Sequence, residues 1–432
     1  MLIKSIFTNS SGILVSRILG FIRDLLTASI LGANIYSDIF FVAFKLPNLF
    51  RRIFAEGAFT QAFIPAYAKT RNKIQFSSAV FLQFLAFIMI LALFVTLFSK
   101  LITHLIAMGF DDATVDLAAP LVAINFYYLP LIFIVTFMAA LLQYKHHFAT
   151  TAFSTALLNM AMIGALLLSK DLDKYEITYY LSYGVIIGGI LQVLVHVMAM
   201  KKKNLLKIFT FKKMAIKENK FYKNFIGATL GSSTAHISAF LDTWLASFLM
   251  SGSISYLYYG NRVFQLPLAL FAIATSIALF PMIARSIKNK DENRALALMK
   301  KSSLILLGLL SIATFIGIVF DELIIWLLFE RGAFSAQDTQ NTALILSMYL
   351  IGLLPFGLGK IFSLWLYAKE QQFKAAKISM ISLGFNIIFS LILIKPYGAA
   401  GLAFASTLSG FILFFLTIKA FGFTSFKKLF TN

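Results

Sequence analysis

Apolar runs long enough to cross a bilayer recur from one end of this chain to the other, and they leave few folds open. Phe81-Leu-Gln-Phe-Leu-Ala-Phe-Ile-Met-Ile-Leu-Ala-Leu-Phe-Val-Thr-Leu97 is one example. A spanning helix needs about 20 mostly apolar residues, whereas a barrel strand needs only about 10, alternating in character. Open sheet edges cannot be satisfied in lipid. The chain is therefore an all-α polytopic membrane protein. Its composition agrees: 59% of the 432 residues are hydrophobic and 13% charged, against about 25% charged in soluble domains. A water-facing surface cannot be covered with so few charges. There is no cysteine, which excludes a disulfide framework and a thiolate metal site. The first apolar segment carries Arg17, Arg23 and Asp24 and runs straight into a second span, so it reads as a span and not as a cleaved leader.

The pattern predicts twelve helices, at about 5–30, 34–60, 78–99, 118–142, 149–169, 177–200, 221–248, 254–284, 302–320, 340–364, 375–394 and 398–420. The connections sort by sign. One set carries Lys69, Arg71, Lys73, Lys145, the lysines from Lys201 to Lys223, Arg285, Lys288, Lys290, Arg294, Lys369, Lys374, Lys427 and Lys428. The other set carries Asp111, Asp112, Asp116, Asp171, Asp173, Glu176, Asp321, Glu322 and Glu330 with few bases. Basic loops stay cytoplasmic, which predicts a multi-pass inner-membrane protein with both termini inside. The net charge of +20 is thus a topology signal with some attraction for anionic headgroups. No soluble basic module suited to nucleic acid is present. The lysine-rich stretch 201–223 separates an N-lobe (1–200) from a C-lobe (224–432), six helices each. Phe209, Phe211, Phe221 and Phe225 among and beside its lysines leave open a membrane-surface amphipathic helix beside the plainer reading of a topogenic loop.

The halves echo one another. Asp24-Leu-Leu-Thr-Ala-Ser29 matches Asp242-Thr-Trp-Leu-Ala-Ser247, Pro47 matches Pro267, and Phe63-Ile-Pro65 matches Leu279-Phe-Pro281. Both repeats begin on the same side, so they run parallel. Two parallel lobes around a central cavity are one of the symmetries of alternating-access transporters.

Several charges fall within or at the ends of spans: Arg17, Arg23, Asp24, Asp38, Lys45, Arg51, Arg52, Glu56, Asp242, Arg262 and Lys360. A charge at mid-bilayer costs at least about 2.5–3.5 kcal/mol, so such groups should pair or face water. Arg17 and Arg23 lie six residues apart, about 120° around the helix and 9 Å along it. Asn48 follows the kink-forming Pro47, and Gln265 precedes Pro267. The expected result is a positive cavity suited to phosphate or pyrophosphate, since guanidinium donates two parallel hydrogen bonds. No nucleotide-binding motif and no tight His/Asp/Glu metal spacing occurs. The expectation is therefore no cofactor, with energy from an ion gradient, the membrane potential or substrate supply.

The same residues carry a resemblance. Ser16-Arg-Ile-Leu-Gly-Phe-Ile-Arg-Asp24, Lys45-Leu-Pro-Asn-Leu-Phe-Arg-Arg52, Ala55-Glu-Gly-Ala-Phe-Thr-Gln-Ala-Phe-Ile-Pro65 and Asn261-Arg-Val-Phe-Gln-Leu-Pro267 resemble the bacterial lipid II flippase family (MurJ/MviN). That family sits within the polysaccharide and multidrug exporter superfamily. The resemblance implies a transporter, not an enzyme, that moves the undecaprenyl-pyrophosphate-linked disaccharide-peptide of peptidoglycan from inner to outer leaflet. It implies membrane lipids and cell-wall synthesis proteins as partners. It assigns substrate contacts to Arg17, Arg23, Arg52 and Arg262. The polar or gating positions are Asp24, Asp38, Asn48, Glu56, Asp242 and Gln265. Some relatives hold sodium between helices 7, 11 and 12, where Asp242 and Asn386 would be candidate ligands, but Ser390 stands where a carboxylate is expected. Family members generally have two further spans that accommodate the polyprenyl tail, so with twelve spans either the tail takes another surface or this is a shorter relative. The alternatives are an exporter of other polyprenyl-linked oligosaccharides or of drugs and, more distantly, a membrane-embedded polyprenyl-phosphate transferase. A drug exporter should favour carboxylates and aromatics over arginines. A transferase would need an acidic cluster, for which Asp111, Asp112 and Asp116 are the only candidates.

Overall fold

In a computed structural model, residues 2–54, 58–209, 221–223, 225–226, 234–422 and 426 are described. All their regular structure is helical. The chain forms two compact units, one of residues 1–236 with 331–333 and one of 237–330 with 334–432. Much of the stretch expected as a linker, 210–220, lies outside the described residues, as do 224 and 227–233.

The first unit contains α1 (Leu2–Leu31), α2 (Ile35–Phe54), α3 (Ala58–Lys69), α4 (Lys73–Leu97), α5 (Ser99–Ile106), α6 (Asp112–Phe126), α7 (Tyr128–Tyr144), α8 (Ala149–Ser169) and α9 (Lys174–Lys202). Helix α1 packs on α8, α8 on α9, and α2 on α6 and α7. The α1–α8 contact is close because Gly12 is there. A Cβ at Gly12 would lie 2.7 Å from the Ala152 Cβ and 2.9 Å from its carbonyl oxygen. Small residues allow such approaches where lipid offers no hydrophobic drive between helices. Polar ties add to the packing. Tyr128 donates to Gln192 (3.1 Å), whose amide donates to the Ser154 carbonyl (3.0 Å), and Asn125 donates to Ser182 (2.8 Å).

Much of the phenylalanine content packs into one aromatic cluster. Phe59, Phe63, Phe76, Phe133 and Phe137 are fully buried and meet at 5–6.5 Å in stacked and edge-on pairs. Phe221 joins them, 1% exposed and 5.9 Å from Phe76. It therefore belongs to this core and not to an amphipathic membrane-surface face.

The second unit contains α10 (Thr234–Ala246, of which the first residues belong to the other unit), α11 (Ser253–Pro267), α12 (Ala274–Lys288), α13 (Glu292–Val319), α14 (Asp321–Phe329), α15 (Ala336–Ile351), α16 (Leu353–Ala368) and α17 (Gln372–Phe421). A π-helical turn, Leu268–Ile273, joins α11 to α12 directly after Pro267. Helix α17 is interrupted at Gly398, which has φ 54° and ψ −132°. Only glycine adopts this conformation without strain, and the break separates the expected spans 375–394 and 398–420. Helix α15 packs on α11 and α17, and α16 on α13 and α17.

Eight stretches among the described residues are long and apolar enough to cross a membrane. The described residues of the twelve expected spans are mostly helical; residues 55–57 of the second span and 224 and 227–233 of the seventh lie outside the described ones. The two most charged spans lie in α1 and α2, and the seventh is represented by α10.

Helix α15 begins with a reciprocal cap. Ser335 Oγ accepts from the Asp338 N–H (3.3 Å), and the Asp338 carboxylate accepts from the Ser335 N–H (2.8 Å). The other oxygen of Asp338 accepts from Tyr256 of α11 at 2.8 Å. Asp338→Ala removes the carboxylate half of this cap and the acceptor of the Tyr256 hydroxyl, while the bond from the residue-338 N–H to Ser335 remains, at an expected cost of about 1–3 kcal/mol. Thermal unfolding in detergent should report a lower midpoint for Asp338→Ala than for Asp338→Asn, which keeps an acceptor.

Candidate functional site

In the first unit the polar centre is the middle of α1. Adjacent helical side chains diverge by about 100°, yet Arg23 and Asp24 are paired. Arg23 Nη2 and Nε reach Asp24 Oδ1 at 2.6 and 3.1 Å. Their side chains are 12% and 2% exposed. The other edge of the guanidinium donates from Nη1 to Asn159 Oδ1 (3.1 Å) and approaches the Met162 sulfur (3.7 Å), both on α8. Arg17 is exposed on the same helix.

Asp38 is buried in the first turn of α2. The positive end of the helix dipole favours an acid there, which gives it a structural role besides any gating one. At the other end of α2, Arg51 Nε donates to Asn48 (3.3 Å), just past Pro47. The side chain of Arg52, and Glu56 altogether, lie outside the described residues.

The second unit carries its own set. Asn386 Nδ2 donates to Ser406 (3.2 Å), and Ser406 donates to Asp242 Oδ2 (3.4 Å), linking α17 with α10. Ser390, one turn beyond Asn386, is fully buried, and its hydroxyl has no partner among the described residues. The oxygens of Asp242, Asn386 and Ser406 include a single carboxylate, a sparse set for a hard cation that prefers to be wrapped in oxygens. Among the described residues no group of three or more His, Asp or Glu is placed to hold a metal. Arg262 lies on α11, followed by Gln265, which is exposed and donates to Asn261 one turn earlier, and by Pro267.

The acids a transferase would need have other work. Asp111 caps α6, accepting from the Thr114 N–H at 2.9 Å, and its hydrogen bonds from Thr114 hold its carboxyl below the usual range. Asp116 pairs with Lys100 on the surface, at 2.7 Å.

A family model described as lipid II flippase MurJ matches residues 27–432. The chain belongs to the MurJ lipid II flippase family. A probable MurJ of Helicobacter pylori (strain 26695) is 52% identical over 94% of this chain and 92% of its own length. One from Haemophilus influenzae is 35% identical over 92% and 81%. A solved MurJ in an inward closed conformation superposes with a TM-score of 0.84 at 27% identity, over 98% of this chain and 89% of that one. An inward-facing multidrug-resistance MATE transporter of the MOP superfamily shares the fold, with a TM-score of 0.77 at 11% identity.

Sequence reasoning named most of the polar residues of this MurJ family member but missed Asn159 and Ser406. An amide amid Leu157, Leu158 and Met160 was the available signal, because a polar group in such a span has to find a partner.

Proposed function

We propose that the chain carries lipid II from the inner to the outer leaflet by alternating access, binding the pyrophosphate through Arg17, Arg23, Arg52 and Arg262. The buried Arg23–Asp24 pair carries this reading. A guanidinium this far inside a membrane helix costs too much to keep as surface decoration, and its fork geometry matches two phosphate oxygens. Asp24 compensates Arg23 while the site is empty. An arriving pyrophosphate competes for the same donors and takes over the compensation. The saccharide-peptide moves with the pyrophosphate, the polyprenyl tail stays in lipid, and no covalent step is required. The bias of bases toward one set of loops supports cytoplasmic termini. An inside-negative potential of 100 mV contributes roughly 2.3 kcal/mol per charge moved and drives an anion outward.

The test uses the purified chain in vesicles loaded with lipid II, reading the fraction exposed on the far leaflet. The wild-type chain should speed exposure, and Arg262→Ala should slow it at least tenfold at equal incorporation. Exchanging sodium for potassium should change the rate less than twofold, in line with the lone carboxylate beside Asn386. Wild-type vesicles no faster than empty ones would sink the substrate assignment. Full activity in Arg262→Ala would remove that arginine from the site, and collapse in potassium would restore sodium as the coupling ion.

A further inference from the structure

Asn159 makes two contacts that belong together. From α8, where it is 4% exposed, its Nδ2 donates to the Ser16 carbonyl of α1 at 3.0 Å. Its Oδ1 accepts from Arg23 Nη1 at 3.1 Å. Ser16 and Arg23 are seven residues apart, two helical turns along one face. Helical side chains lean toward the N-terminus, so the Arg23 head comes back toward the Ser16 level, where one amide can hold both. The Ser16 carbonyl has a second lone pair beyond its intrahelical bond. Only a side chain with a donor and an acceptor at one tip can make this link. The Asp24 contact fixes one edge of the guanidinium, and Asn159 fixes the other.

We infer that Asn159 is a positioning residue for Arg23. Through Ser16 it reads the register of the α1 backbone, and it sets the guanidinium at the angle from which it meets pyrophosphate. This rests on the proposed function above. The competing explanation is that Asn159 only holds α1 to α8. In that case its loss would lower stability without depending on what stands at position 23.

The experiment uses the full chain in lipid nanodiscs for binding of inorganic pyrophosphate and in vesicles for lipid II transport. Asn159→Leu keeps the volume and removes both hydrogen bonds. It should raise the pyrophosphate Kd and the apparent KM for lipid II about tenfold, the worth of a charge-assisted hydrogen bond, with Vmax within twofold. Asn159→Asp keeps an acceptor toward Arg23 but loses the donor to Ser16. It also adds a negative charge that competes with pyrophosphate, so it should raise Kd and KM too, by about threefold or more. In an Arg23→Lys background, Asn159→Leu should add less than twofold. The inference fails if Asn159→Leu leaves Kd and KM unchanged, including when it lowers the melting temperature. It also fails if the full factor persists with lysine at position 23. A wild-type chain that binds pyrophosphate but does not move lipid II would overturn the proposed substrate. The Kd comparison would still decide the role of Asn159.

Discussion

Arg23→Ala is expected to abolish lipid II transport and to destabilise the chain, and the two effects can be separated. The substitution leaves the Asp24 carboxylate, 2% exposed, without the guanidinium beside it. Removing one partner of a buried ion pair costs about 3–5 kcal/mol, because the remaining charge stays desolvated. Replacing both partners is far milder, since the desolvation cost disappears together with the attraction. Arg23→Ala should therefore reach the membrane poorly and melt early. Arg23→Ala combined with Asp24→Asn should recover most of the melting temperature. Transport should stay at least a hundredfold down in both, because neither offers the bidentate donor. Recovery of transport in the double variant would mean that the pair is only structural.

Gly12→Leu should have the next largest effect. The position lies eleven residues before Arg23, at a close approach of the α1 and α8 backbones. A Cβ alone would stand 2.7 Å from the Ala152 side chain and 2.8 Å from its carbonyl carbon. A Cβ alone already meets backbone atoms of α8, and an isobutyl group adds to that clash, so α1 must shift. Overpacking of this kind costs about 1–3 kcal/mol, and the shift also carries Ser16 and Arg23 away from Asn159. The melting temperature should fall and transport should drop several-fold. Ala152→Gly should rescue Gly12→Ala only in part, since backbone atoms of Ala152 contribute to the clash. Unchanged melting and transport in Gly12→Leu would show that the two helices separate more freely than their packing implies.

The spans were legible in the sequence because lipid imposes a length and a composition that few other environments demand. Arg23 and Asp24 stood out for the same reason, as charges with no cheap place in a membrane helix. Their pairing was not legible. Neighbouring helix positions point away from each other, and the group that completes the arrangement, Asn159, is 136 residues away in sequence. Phe221 shows the complementary limit. Among lysines it left a membrane-surface helix open beside a topogenic loop. Neither reading placed it with Phe59, Phe63 and Phe76, which provide it with an apolar home. Burial is decided by where the chain returns in space, and that information is tertiary. Asp38 was legible as an acid out of place, but its location in the first turn of α2 supplies a local electrostatic reason the apolar pattern could not reveal.

The π-helical turn after Pro267 bears on how the two halves came to differ. A π turn closes its hydrogen bond over one more residue than an α turn, so it bends a helix while keeping it continuous. The second half thus runs unbroken from Ser253 to Lys288. In the first half the corresponding stretch comprises α2 and α3, and residues 55–57 between them lie outside the described residues. The matching prolines differ in spacing: Pro47 to Pro65 is four residues longer than Pro267 to Pro281. The two matched segments therefore differ in length between their prolines. An alignment of the halves should carry its gap there, and insertions within the family should be tolerated between Pro47 and Pro65 better than in the flanking helices.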